Sequence, residues 1–119
     1  SHAAVAAVLL GRERNDPNAE RLVAAVLADV DTCPLSEKEK LLLRFIDRVN
    51  RDSHHINAAD TAALREAGWT DEELYYAISV CAIFNFYNRW IDATGVHALS
   101  EEAHRQGGIR SAGSGYVRK

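Results

Sequence analysis

The chain has 119 residues, 47% hydrophobic and 26% charged, with a formal net charge of -3, values that fit one globular domain with a modest core. They exclude the basic stripe that a nucleic-acid footprint needs: Lys38, Lys40, Arg44 and Arg48 are offset by Glu37, Glu39 and Asp47, so this face reads as solvated. No apolar run is long enough to span a bilayer, so neither nucleic acid nor membrane is an expected partner.

Two prolines and few β-branched runs favour an all-α class. Residues 3–10 read as a short helix or the last turns of a longer one, stopped at Gly11. This apolar run lacks a basic leader and a cleavage motif, so it is not read as a signal peptide. Asp16 and Pro17 supply an N-cap and a first helical residue, opening a helix to about Ala28 with Leu22, Val23, Val26 and Leu27 on one face. Ser36 and Glu39 form a capping box, and the helix they start buries Leu41, Leu42, Phe45, Ile46 and Val49. Asn57 caps a shorter helix carrying Ala62, Ala63 and Leu64, which Gly68 ends. Thr70 and Glu73 form another capping box and launch the longest helix, to about Ala93, closed by Gly95. Ser100 caps a final helix reaching His104 or Arg105. The expected organisation is a single helical domain over 1–106 and an extended or mobile Gly/Ser-rich tail over 107–119.

The longest helix carries the most information. Leu74, Tyr75, Tyr76, Ile78, Val80, Ile83, Phe84, Phe86, Tyr87, Trp90 and Ile91 surround it on nearly every side. A helix apolar all round has to be buried all round, which a domain of this size achieves most readily by oligomerising. One polar stripe interrupts the apolar surface. Cys81, Asn85, Asn88 and Asp92 follow helical spacing, with Arg89 four residues after Asn85. Two readings apply: a buried hydrogen-bonded seam that registers helices or subunits, or the lining of a reaction pocket.

Cys33 and Cys81 are far apart and have neither CxxC nor zinc-type spacing, so a reducing, cytoplasmic location is expected. Cys81, among apolar neighbours, reads as a small inert hydrophobe, and Cys33, in the loop before Pro34, as exposed and oxidisable. His54 and His55 are adjacent, point in different directions and lack the i, i+4 geometry of a helical ligand pair, so no metal site is expected. His97 and His104 read as surface residues.

Two stretches, LSEKEKLLLRFIDRVNRD from Leu35 to Asp52 and ALREAGWTDEELYYAISVCAIFNFYNRWIDATGV from Ala63 to Val96, together with a glycine-bearing tail ending near Gly115-Tyr116, carry a resemblance. They resemble the second half of the alkylhydroperoxidase-D-like domain of the carboxymuconolactone decarboxylase superfamily, in its peroxidase-related branch. The resemblance implies an all-α oligomeric bundle (dimer, trimer or hexamer) and a thiol-dependent peroxidase acting on a small hydroperoxide without a cofactor. That family keeps its chemistry on a helix bearing CxxCxxxH, with a glutamate upstream. There a helix N-terminus lowers the thiolate pKa, the second cysteine resolves the sulfenic acid, and the His–Glu pair relays protons. Ser1-His2-Ala3-Ala4 is similar to the histidine end of that motif, which makes His2 the catalytic candidate. The cysteine pair and the glutamate are not among these residues, so peroxidase turnover is not expected of this chain. The alternatives are a non-catalytic helical oligomerisation domain and a carboxymuconolactone-decarboxylase-like enzyme.

Overall fold

The computed structural model describes residues 16–115 together with positions 6, 9 and 13. His2 lies outside the described residues, as does the helix expected over 3–10 apart from Ala6 and Leu9. Every regular element among the described residues is helical: α1 (Ala19–Ala28), α2 (Glu37–Asp52), a 3₁₀ turn (Ser53–His55), α3 (Ala58–Glu66), α4 (Asp71–Ala93) and α5 (Glu101–Ser114). The chain divides into two compact units, one formed by Ser1–Pro34 with His97–Lys119 and the other by Leu35–Val96.

In the Leu35–Val96 unit, helix starts follow local chemistry. Ser36 Oγ accepts from the Glu39 N–H at 3.2 Å while Glu39 Oε2 accepts from the Ser36 N–H at 2.9 Å. Thr70 and Glu73 repeat the arrangement, at 3.2 and 2.8 Å. Asn57 and Asp60 form a third reciprocal box. Each box satisfies amide groups that the first helical turn otherwise leaves without partners. The same bonds shift the acids: the Thr70 N–H, then the Thr70 hydroxyl, holds the Glu73 carboxyl below its ordinary value of 4.5. The Asn57 N–H, then the Arg48 guanidinium, holds the Asp60 carboxyl below 3.8.

Packing gathers on one small nucleus. Phe45 of α2, Leu64 of α3 and Leu74 of α4 are buried together, with Leu41, Leu42, Ile46, Val49, Ile56, Trp69 and Ile78 packed against them. Burying each of the three stabilises the unit by roughly 1.5–3 kcal/mol. A polar clasp closes one end. Lys38 Nζ donates to the Gly68 carbonyl at 2.9 Å and stands 4.4 Å over the Trp69 ring, while the Trp69 indole N–H donates to the Lys38 carbonyl at 3.0 Å. Gly68 has a φ of +92°, the left-handed conformation that ends α3 and that side-chain-bearing residues rarely adopt.

Three expectations are corrected. The face carrying Lys38, Lys40, Arg44 and Arg48 is not simply solvated: Lys40 is buried beside Glu37 at 3.3 Å, and Arg48 pairs with Asp60 at 2.5 Å. Helix α1 begins at Ala19, because the Asp16 carboxylate accepts from the Asn18 N–H at 2.7 Å and holds Pro17 and Asn18 in a turn. The third correction concerns the tail. Residues 107–114 belong to α5, whose Ser100 cap accepts from the Ala103 N–H and which ends only where Gly115 takes a φ of +73°. Gly107 and Gly108 lower helix propensity without forbidding the helix.

That helix yields a direct test. A methyl group added at Gly107 or Gly113 meets nothing within 4 Å. Gly107→Ala and Gly113→Ala should therefore each raise stability by about 0.5–1 kcal/mol and increase helical circular dichroism. A denaturant melt with no gain from either would place the segment outside a helix.

Candidate functional site

Helix α4 has 23 residues and α2 has 16, lengths of about 35 and 24 Å at the α-helical rise. Both take part in the same nucleus, so the last turns of α4 run beyond anything in their own unit that would cover them. Their exposure shows it. Buried and half-buried positions on α4 end at Asn85, and every residue from Phe86 to Ala93 is exposed.

The two faces of α4 are inverted over this length. At about 100° per residue, Cys81, Asn85, Asn88 and Asp92 lie on the same side as Leu74, which faces the core. The opposite side carries Tyr75, Tyr76, Val80, Ile83, Phe86, Tyr87, Trp90 and Ile91, all exposed, with Tyr75 at 72%, Phe86 at 63% and Trp90 at 59%. Those eight occupy a continuous arc of about 160°.

The polar stripe resolves into a ladder and two outliers. Asn85 Nδ2 donates to the Cys81 carbonyl at 3.1 Å and lies 3.5 Å from Cys81 Sγ, which is 3.9 Å from the Ile46 carbonyl on α2. Arg89 Nη1 donates to Asn85 Oδ1 at 2.5 Å and to the Asn85 carbonyl at 3.0 Å. Arg89 thus reaches back along the helix to Asn85. Cys81 and Asn85 are half-buried, whereas Asn88, Arg89 and Asp92 are exposed, so only the first turn of the stripe is sheltered. Apart from the Cys81–Ile46 contact these bonds run along one helix, and they do not converge on a shared point. A recess of about 240 Å³ lies elsewhere, floored by Phe45, Ala63 and Leu64 and edged by Arg44, Arg48 and Asp60, and no stripe residue lines it.

The cysteines and histidines depart from expectation in opposite ways. Cys33 is 3% exposed, with its thiol donating to the Val30 carbonyl at 3.0 Å, so it is neither exposed nor open to oxidants. Both cysteines are free, one in each unit. His54 and His55 do not diverge: the 3₁₀ turn sets their rings 4.0 Å apart, and Asp52 joins them. His55 Nδ1 lies 2.6 Å and His54 Nδ1 3.6 Å from Asp52 Oδ1. Sequence spacing concealed this cluster, because neighbours that separate on an α-helix or a strand are drawn together by a single tight turn closed from Ile56 N–H to Ser53 carbonyl. His97 is exposed as expected, while His104 is half-buried.

Among the described residues no helix is long and apolar enough to cross a membrane. Compared with protein families, curated proteins and solved structures, the chain gives no match.

Burial of Cys33 makes a prediction. Iodoacetamide applied to the native protein should leave Cys33 unmodified while labelling it fully in denaturant, as read by peptide mass spectrometry. Rapid native labelling of Cys33 would contradict its placement.

Proposed function

We propose that this chain is a self-associating helical domain, whose α4 packs against α4 of a second copy. The observation that carries the reading is the exposed apolar arc. Within it Tyr76, Val80, Ile83, Tyr87 and Trp90 are spaced four, three, four and three residues apart, the alternation of a helix–helix seam. At roughly 100 Å² of exposed surface per large side chain, the eight residues present about 800 Å² per chain, the amount each partner contributes to a standard stable interface. A second copy brings the same arc, so a two-fold arrangement buries both at once. Higher assemblies, trimeric or hexameric, extend the same contact by using the flanks of the arc.

Analytical ultracentrifugation tests this reading. The protein should sediment as a dimer or larger across a micromolar dilution series. Tyr87→Glu with Trp90→Glu should give a monomer of unchanged helical circular dichroism, because both positions are exposed and outside the nucleus. A wild-type monomer at these concentrations would overturn the proposal.

A second reading, a thiol peroxidase, is favoured by one observation. The segment that resembles the alkylhydroperoxidase-D-like domain, Leu35 to Val96, has the same bounds as one compact unit. In this reading the chain contributes scaffold and His2, and the two electrons that reduce a hydroperoxide to alcohol and water come from a cysteine pair these residues do not contain. The 119 residues alone should accordingly show no hydroperoxide turnover in a coupled assay. Turnover that disappears in Cys81→Ser would assign the chemistry to Cys81 instead.

A further inference from the structure

We propose that Asp52, His54 and His55 form a surface site for a divalent transition-metal ion of the zinc, nickel or copper class. One ligand atom from each residue lies within 4.8 Å of those from the other two. Both imidazoles bring Nδ1 toward the same carboxylate oxygen, at 2.6 and 3.6 Å. Around an ion with bonds of about 2.1 Å, tetrahedral ligands stand about 3.4 Å apart, so small side-chain rotations convert the present cluster into a coordination shell. Binding through Nδ1 places the ring proton on Nε2 in each histidine, and the ion takes over the position that the His55–Asp52 hydrogen bond now holds. Two imidazoles and one carboxylate suit borderline ions, whereas calcium and magnesium require oxygen ligands. The remaining coordination positions are left to water.

The backbone beneath the cluster is already fixed, which spares the ion the cost of ordering it. Asp52 is the last residue of α2, and the Ile56 N–H closes the 3₁₀ turn on the Ser53 carbonyl at 3.2 Å. Arg48 Nη2 donates to the His55 carbonyl at 3.4 Å while Nη1 of the same guanidinium pairs with Asp60 in the cap of α3. The turn is thereby tied to both flanking helices. Only three side chains must settle, and all three are accessible to an ion from solvent.

Isothermal titration of the full chain with zinc chloride should show one saturable site in the micromolar range. Asp52→Asn, His54→Ala and His55→Ala should each weaken it by about tenfold or more. His2→Ala, His97→Ala and His104→Ala should bind as the wild type does. A substoichiometric amount of copper(II) should broaden the ring proton signals of His54 and His55 first in the NMR spectrum of the unaltered protein, a readout independent of any variant's folding. Absence of saturable zinc binding would overturn the assignment. So would affinity that survives both His54→Ala and His55→Ala, or broadening centred on other histidines.

Discussion

Much of this structure follows from a mismatch of lengths. Helix α4 is about 35 Å long and its partner α2 about 24 Å, and the nucleus of Phe45, Leu64 and Leu74 sits where both are present. Beyond it α4 has no cover from its own unit, yet the apolar residues continue to the final turn. Hydrophobic burial scales with area removed from water, so the uncovered arc is the largest unrealised stabilisation in the described residues. The side of α4 that faces the core turns polar at Cys81, while that residue still lies against Ile46 of α2. That change at Cys81 and Asn85 is consistent with a helix whose dry side and wet side exchange along its length.

The nucleus itself is small, and short-range polar bonds do much of the remaining work. Three capping boxes start the helices of the Leu35–Val96 unit, and the Lys38–Trp69–Gly68 clasp ties the start of α2 to the corner between α3 and α4. Each cap is worth on the order of 1 kcal/mol. In a marginally stable fold a few such contributions weigh as much as a core side chain. Arg48 extends the same economy, with one guanidinium joining the α3 cap to the 3₁₀ turn. Position and orientation of the helices thus rest on bonds between main chain and side chain as much as on packing.

The parts of the fold legible in the sequence are those made by neighbours. Ser36 with Glu39, Thr70 with Glu73 and the Asn57 cap involve partners two or three residues apart, and each appears where local reasoning put it. The apolar face of α2 was equally legible because its periodicity is uninterrupted. Failures came where distant surroundings decide. Nothing near Cys33 or Lys40 in sequence announces their burial, and helical spacing alone does not show that only the first turn of the α4 stripe is sheltered. The bounds of α1 and α5 moved for a different reason: Asp16 chose a turn over a cap, and three glycines did not stop a helix. For the candidate site, the helical spacing of the α4 stripe was legible in the sequence, whereas the Asp52–His54–His55 cluster depended on a 3₁₀ turn that carries no strong sequence signature.

Glycines at 107, 108 and 113 give α5 a distinctive place in the energetics of the chain. Each sacrifices about 1 kcal/mol of helix propensity relative to alanine, and an isolated helix of 14 residues is already at the limit of persistence in water. Such a segment has little reason to stay coiled through its own backbone bonds. Its helicity is borrowed from whatever its half-buried side, around Ala103, His104 and Gly108, rests upon. The exchange of its amide hydrogens with solvent would then act as a gauge of that support, fast when the segment is released and slow when it is held.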